Sequence, residues 1–576
     1  VLDAPIINIG KNGALSTVPT GFDLTTGSIS VITEQALSLY GGKIDGSFAK
    51  LNTSSGTQTI NFYDQLALLA GSANGANAEI KASSVIINGI SGGGGLIYVT
   101  ASNCSKAFID AGTISIGQTV QPSVLAINGG CCSSQNEAYV GSLTAGSSIS
   151  INLTGDLSLT AGSSGSSNKA SIISSGGSSK AIGITCKDLT LLGGNSGTGN
   201  QAQIASLGNL GSVTITTAKD IIVTGGTSVL GSAFITSTNT RFTAGRDIII
   251  TGGNANLSAA YVEGTKGVIG EVTRFLILQG GSAPLAFADI KVTTGNITID
   301  ALTNEAQFIL RGGNIVGANN ASAKFLISNN GTINVGATNP PNYVNLIGGS
   351  GGEDPFAQFI IKGNGDINIE TLSDITYLGG IDGTLTHASA EVLGNGSITH
   401  IAGRDMNLTT GNNSPSNAYL HATNGVITVQ TTRDFNMTGN CFIPNIAYLQ
   451  ADGDDSAIIV SVGRDLTQRG DTRITVNNPL VTVPSSVLVI SVGHRWTHFD
   501  CPVVRYGSTY ILPEAPAPVP PQVFVYPADF YYKYTFLYEL FYRMNYFKCY
   551  DWFVFHGNSF WDSAMYTDPG NLNHLN

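Results

Sequence analysis

Charge is what this sequence has least of. Asp, Glu, Lys and Arg make up 11% of its 576 residues, against about 25% in an average soluble protein. Such a surface is not that of an ordinary cytoplasmic enzyme. The 27 Lys and Arg are spread thinly through a chain of net charge −11 and pI near 5.0. No basic stripe is available to neutralise a phosphate backbone, so nucleic acid is not an expected partner. No apolar run approaches the roughly 18 to 20 residues that a membrane-crossing helix needs, so no transmembrane segment is expected. The seven cysteines contain one close pair, Cys131-Cys132, and no C-x-x-C, which excludes the usual zinc spacings and leaves one thiol over. The seven histidines are scattered, and His494 and His498 would share a face only on a helix, where the context reads as strand. P-loop and H-E-x-x-H motifs are absent. No metal, cofactor or catalytic constellation is therefore expected. The chain opens on Val1 instead of methionine, which implies a removed leader or a fragment.

Glycine, at 72 residues, is what the chain has in abundance, beside a hydrophobic content of 42%. Low charge with Gly, Ser, Thr and Asn would suit disorder, but Ile, Val and Leu recur in short alternating runs that can bury a core. The runs are periodic. Alanine followed two residues later by an aliphatic or aromatic residue recurs at Ala49, Ala78, Ala107, Ala138, Ala170, Ala202, Ala233, Ala260, Ala288, Ala323, Ala357, Ala390, Ala418 and Ala447, a mean period of about 31 residues. Two glycine columns keep step. Pairs such as Gly252-Gly253, Gly280-Gly281, Gly312-Gly313 and Gly348-Gly349 follow a hydrophobic run, where a tight corner predicts positive φ. Single glycines at 295, 331, 365, 396 and 425, usually as Asn-Gly, precede strands such as Ile297-Thr298-Ile299.

Period-two alternation in these strands puts one face inward. The middle residue of the Ala-x-Ile strand varies freely, as in Lys50, Glu79, Tyr261 and Asp289, which marks it as outward. Each repeat thus predicts three short strands joined by corners. Such coils, stacked at about 4.8 Å, satisfy their backbone groups through the coils above and below, so about fifteen of them would make a rod roughly 70 Å long. The fold class is all-β, a three-sided β-solenoid. A propeller blade needs about 40 to 50 residues and four strands, and a helical solenoid would show a 3.6-residue pattern that is missing here.

Residues 1–27 lack the columns and read as an N-terminal cap, with the solenoid over 28–512. Residues 513–522 form a Pro-rich linker of polyproline-II type. Residues 523–576 form an aromatic segment, with a helix predicted from Pro527-Ala528-Asp529 and the i,i+4 pairs Asp529/Lys533 and Glu539/Arg543. Phe530, Tyr534, Leu537, Phe541, Met544, Trp552 and Trp561 surround this helix with apolar area. It must be covered either by the rod's own last coil or by a neighbouring subunit.

The constellation with most chemical content is a column of acidic residues, several preceded by a base. Lys187-Asp188, Lys219-Asp220, Arg246-Asp247, Arg404-Asp405, Arg433-Asp434 and Arg464-Asp465 share it with Asp156 and Asp374. Stacked carboxylates can hold calcium or perform acid/base chemistry. A residue repeated in coil after coil instead reads as scaffold, its carboxylate bonded to turn amides and its repulsion offset by the neighbouring base. Cys104 and the Cys131-Cys132 pair fall in the same loop of consecutive coils, which predicts a bridge from Cys104 to one of the pair. Arg469-Gly470-Asp471 and sequons such as Asn152 and Asn407 are at the frequency such a composition produces by chance.

The segments Ala244–Gly253 (AGRDIIITGG), Ala402–Gly411 (AGRDMNLTTG) and Val462–Gly470 (VGRDLTQRG), with the preceding x-Ile-x-Ile strand, resemble the repeats of filamentous haemagglutinin-type β-helix adhesins of bacteria. The likeness covers roughly residues 28–500. It implies a right-handed β-helix, export to the cell surface, and adhesion or fibre building in place of catalysis. The period is longer than the roughly 20 residues usual in those repeats, and no N-terminal secretion domain is evident. The expected function is a structural subunit of an extracellular fibre or surface layer, joined end to end through coil edges and locked by the aromatic tail. A monomeric adhesin binding glycan or protein on a host or neighbouring cell is the second expectation, and a carbohydrate-active enzyme the third.

Overall fold

The computed structural model describes residues 1–4, 6–9, 20–24, 27–131, 134–142, 147–175, 181–314, 321–350, 352–353, 355–380, 383–411, 415–440, 445–453, 456–477, 487–499 and 524–527. Within them the chain is a parallel β-solenoid of about 15 turns with no helix. Each turn supplies an Ala-x-Ile strand, a second strand and a third strand, and each strand pairs with its counterparts one turn before and one turn after. The first two kinds share one 30-stranded sheet. In Asn77–Gly89, Ser232–Ala244 and Ala260–Val272 one unbroken strand runs through the bend between them. The third kind stacks separately from Ile6–Ile9 to Arg495–Phe499 and is open at both ends, because pairing joins only successive turns.

Alternation decides what lies inside. The aliphatic residues of all three columns point into one continuous core, which Phe62, Phe242, Phe308, Phe325, Phe359, Phe435 and Trp496 enter fully buried. The alanines stack directly on one another, from Ala49 on Ala78 and Ala107 through Ala288, Ala323 and Ala357 to Ala418 and Ala447. One position is corrected. Ala357 pairs with Ala388, and Ala388 with Ala418, so Ala388 holds the place expected of Ala390. Both face inward in the strand Thr386–Asn395, and a period of two cannot distinguish positions two apart.

The paired glycines are there for a different reason from the one expected. None of those at 252, 280, 312 and 348 has a positive φ. A Cβ on any of the four would stand 2.6 Å from the backbone nitrogen of Gly281, Gly313, Gly349 or Gly380 in the next turn. Close approach between turns, not a left-handed corner, excludes a side chain. Gly295 does use its freedom, at φ +114.

The described part of residues 1–27 extends the stack. Leu2–Asp3, Ile6–Ile9 and Thr20–Leu24 pair in parallel with strands of the following turn, Thr20 standing opposite Ala49. At the other end Phe524–Pro527 pairs antiparallel with Val487–Ile490. The linker 513–522 and the aromatic residues Phe530, Tyr534, Leu537, Phe541, Met544, Trp552 and Trp561 lie outside the described residues, as does Cys132.

Candidate functional site: the corner charge ladder

The acidic column precedes the third strand. Asp156, Asp188, Asp220 and Asp247 come immediately before Leu157, Leu189, Ile221 and Ile248, which stack in register. Asp374, Asp405, Asp434 and Asp465 precede Ile375, Met406, Phe435 and Leu466 in the same way. Between these two runs the column is occupied by Phe275, Gln307 and Tyr343, and Arg495 follows Asp465.

Each arginine of the Arg-Asp pairs bonds first to the aspartate one turn earlier, and only second to its neighbour in sequence. Arg246 Nε donates to Asp220 Oδ1 at 2.6 Å. Arg404, Arg433 and Arg464 donate in the same way to Asp374, Asp405 and Asp434 at 2.8 Å. A second guanidinium nitrogen bonds the other carboxylate oxygen in each case, which makes the pairs bidentate. The adjacent aspartate is farther, from 3.8 Å for Arg246–Asp247 to 3.2 Å for Arg464–Asp465. The same Oδ1 also accepts the backbone N–H of the next turn's residue, as Asp405 accepts from Asp434 N–H and Asp374 from Asp405 N–H, both at 3.2 Å. Lys187 stands 3.8 Å from both Asp156 and Asp188, a looser bridge than the arginine fork makes.

Two members escaped the sequence reading. Arg274 closes the first run on Asp247, Nε to Oδ1 at 2.9 Å, and His494 Nδ1 lies 2.7 Å from Asp465 Oδ1 at the end of the second. Neither precedes an aspartate, so the dipeptide pattern missed them. The usable signal was that a base belongs to the preceding turn's acid. Electrostatically the ladder is matched: the Arg246 fork holds the Asp220 carboxyl below the usual carboxylate range, and Asp220 raises the Arg246 guanidinium in turn. The arginines are about half exposed while their aspartates are mostly covered, so the carboxylates' hydrogen-bonding capacity is taken up between turns.

Elsewhere the chemistry-bearing residues are dispersed. Among the described residues no three of His, Cys, Asp and Glu come together as a metal site. Cys104 is an exposed thiol, and its loop is adjacent to that of Cys131, whose carbonyl accepts from Asn103 N–H at 3.5 Å. In the Arg-Gly-Asp segment Asp471 is held bidentately by Arg473, and Arg469 lies over the Phe499 ring at 4.9 Å. Stacked aromatic pairs on the outward side of the Ala strands were not foreseen: Phe108–Tyr139, Phe234–Tyr261 and Tyr419–Tyr448, with ring centres 4.9, 4.9 and 4.6 Å apart. They occupy the freely varying middle position, where stacking brings any two aromatics of successive turns into contact. A polar pair sits inside the core, Tyr377 O–H with His400 Nε2 at 2.5 Å. Burial holds the His400 imidazole down at about 4.

No protein-family model matches this chain, and no match was found among curated proteins or among solved structures.

Proposed function

We propose that this protein is a non-enzymatic structural rod of an extracellular fibre or surface layer, a right-handed, three-sided solenoid of the kind its repeats resemble in filamentous haemagglutinin-type adhesins. The observation that carries the reading is the corner ladder. Five of its eight carboxylates, Asp220, Asp247, Asp374, Asp405 and Asp434, are occupied by arginine forks and backbone amides of the next turn. Catalysis needs one irregular cluster with free valence; a ladder that clasps successive turns together over two runs serves a rod that must not unravel. The antiparallel strand at Val487–Ile490 weighs against end-to-end joining through that edge. In this reading the assembly contact is therefore lateral or lies beyond Pro527.

Electron microscopy of the full chain beside a chain ending at Pro527 tests it. Filaments or sheets that disappear on truncation support a fibre subunit whose aromatic segment is the clasp. Isolated rods of about 70 Å in both samples would sink it in favour of the second reading, a monomeric adhesin. The half-buried Tyr419–Tyr448 pair on the outer face favours that alternative, since it offers a partner some apolar ring area. A bridge from Cys104 to Cys131 or Cys132 is proposed for the oxidised, exported protein. Peptide mapping that finds Cys104 unpaired in material from the culture medium would remove it.

A further inference from the structure

A parallel stack ends in strands whose outer N–H and C=O groups face no further turn, and such edges recruit other chains. Val487–Val492 is the last of the second strands, pairing in parallel on Ala457–Val462. Its sequence, Val-Leu-Val-Ile-Ser-Val, has no charge, proline or glycine, the composition that pairs most readily with a copy of itself. On its far edge lies Phe524–Pro527, with Ile490 opposite Phe524, Val489 opposite Val525, Leu488 opposite Tyr526 and Val487 opposite Pro527. Every other pairing of named strands among the described residues is parallel. A further turn in register would have to be parallel too, so this strand ends the repeat instead of continuing it.

The covering strand is itself a poor template. It is four residues long and ends in proline, which has no N–H to offer a newcomer. The core beneath is closed as well. Ile490 and Trp496 of the final turn are each 1% exposed, and the Trp496 indole N–H donates to Gln468 Oε1 at 3.1 Å. From this juxtaposition we infer that Phe524–Pro527 is an edge guard, an intramolecular contact that denies Val487–Val492 to a second copy of this chain. Once displaced, it leaves an edge that already accepts an antiparallel partner. The same segment of another molecule, related by a two-fold axis, can then take the guard's place, giving a dimer joined through the C-terminal turns. The inference does not depend on what the rod does at its destination.

Hydrogen exchange at Val487–Val492 together with sedimentation of the full-length chain tests it. Two opening variants are needed, Val525→Pro and Tyr526→Pro, because N–H directions alternate along a strand and one of the two must remove a donor facing Val487–Ile490. A lock, Val489→Cys with Val525→Cys, places cysteines directly opposite one another, where Cβ atoms lie about 4.5–5.5 Å apart. The parent and the oxidised lock are expected to show the same mass across concentrations, or the same level of any lateral assembly, with protected amides at 487–492. The effective opening variant is expected to approach a twofold higher mass as concentration rises, and reducing the lock should return it to parent behaviour. An opening variant with unprotected 487–492 amides and unchanged mass would overturn the inference. So would an oxidised lock that associates as strongly as the opened chain. Should the proline variants not fold, the comparison of locked and unlocked chain in mild denaturant decides alone: equal association in both states overturns the guard.

Discussion

Two stretches of the rod join their turns by charge and do so with opposite success. From Asp374 to His494 the acid–base contacts run along a half-exposed corner, where Asp374, Asp405 and Asp434 each have a bidentate arginine and a backbone amide, and Asp465 has His494. Across the turns where Phe275, Gln307 and Tyr343 interrupt that column, the contacts move to the outer side of the Ala strands. Glu263 meets Lys291 at 3.1 Å, and Asp289 meets Lys324 at only 4.0 Å. Asp289 is 3% exposed and its Oδ1 finds no hydrogen-bond donor. Burial, opposed by Lys324 and Lys291, pushes its carboxyl up to about 6. The difference teaches that an ion pair in this rod gains from geometry and from keeping one partner in water. A lysine point charge at the edge of reach does not repay a buried carboxylate its lost hydration.

The sharpest test of this contrast is pH, because the two regions should slope in opposite directions. For Asp289 the folded-state pKa lies above the unfolded value. Its contribution to stability is therefore highest below about 3.8 and is lost as pH rises through about 6, a change on the order of 3 kcal/mol. Asp289→Asn should flatten that segment of the profile and make the protein more stable than the parent at pH 7.5, as read by denaturant unfolding. A destabilised Asn variant at that pH would break the comparison. For Asp220 the folded value is depressed by Arg246. Its contribution is present above the ordinary carboxylate range and is lost as pH falls through the depressed value, so Asp220→Asn should lose the acid-side slope and be less stable at neutral pH.

Smaller effects follow within the ladder. Asp405→Ala removes the acceptor for the Arg433 fork and for the Asp434 amide and should cost about 1–3 kcal/mol in the same unfolding assay. Arg433→Lys keeps the charge but loses the fork, so it should destabilise less than Asp405→Ala; an equal loss would mean that charge alone matters there. The smallest expected change comes from Phe275→Asp, which extends the first run by one turn. Arg274 already stands over the Phe275 ring at 5.0 Å, and no arginine follows in the next turn, where Gln307 occupies the column. A slight loss measured in salt-free buffer, and less in high salt, is expected.

The solenoid itself was legible because each turn repeats the same local demand: an inward alanine, an inward aliphatic two residues on, and glycine where neighbouring backbones approach. Ala49 through Ala357 could be placed from spacing alone. Ala388 could not, since His387-Ala388-Ser389-Ala390 satisfies the alternation in two registers and only pairing with Ala357 chooses between them. The glycine pairs were visible, but their cause was not, because a Cβ clash with the next turn is a contact about 30 residues away in sequence. The ladder was half legible for the same reason. The eye pairs Arg433 with Asp434, its neighbour, whereas the fork belongs to Asp405.

The sequence by itself determined the period, the inward and outward faces and the column in which charge would lie, since these follow from period-two alternation repeated turn after turn. Only the tertiary structure decided which turn each charge serves, that Asp289 is buried without a full set of partners, and that the last edge is covered by a strand running the other way. Those are relations between residues one turn or more apart, set by how turns stack, and no local pattern encodes them.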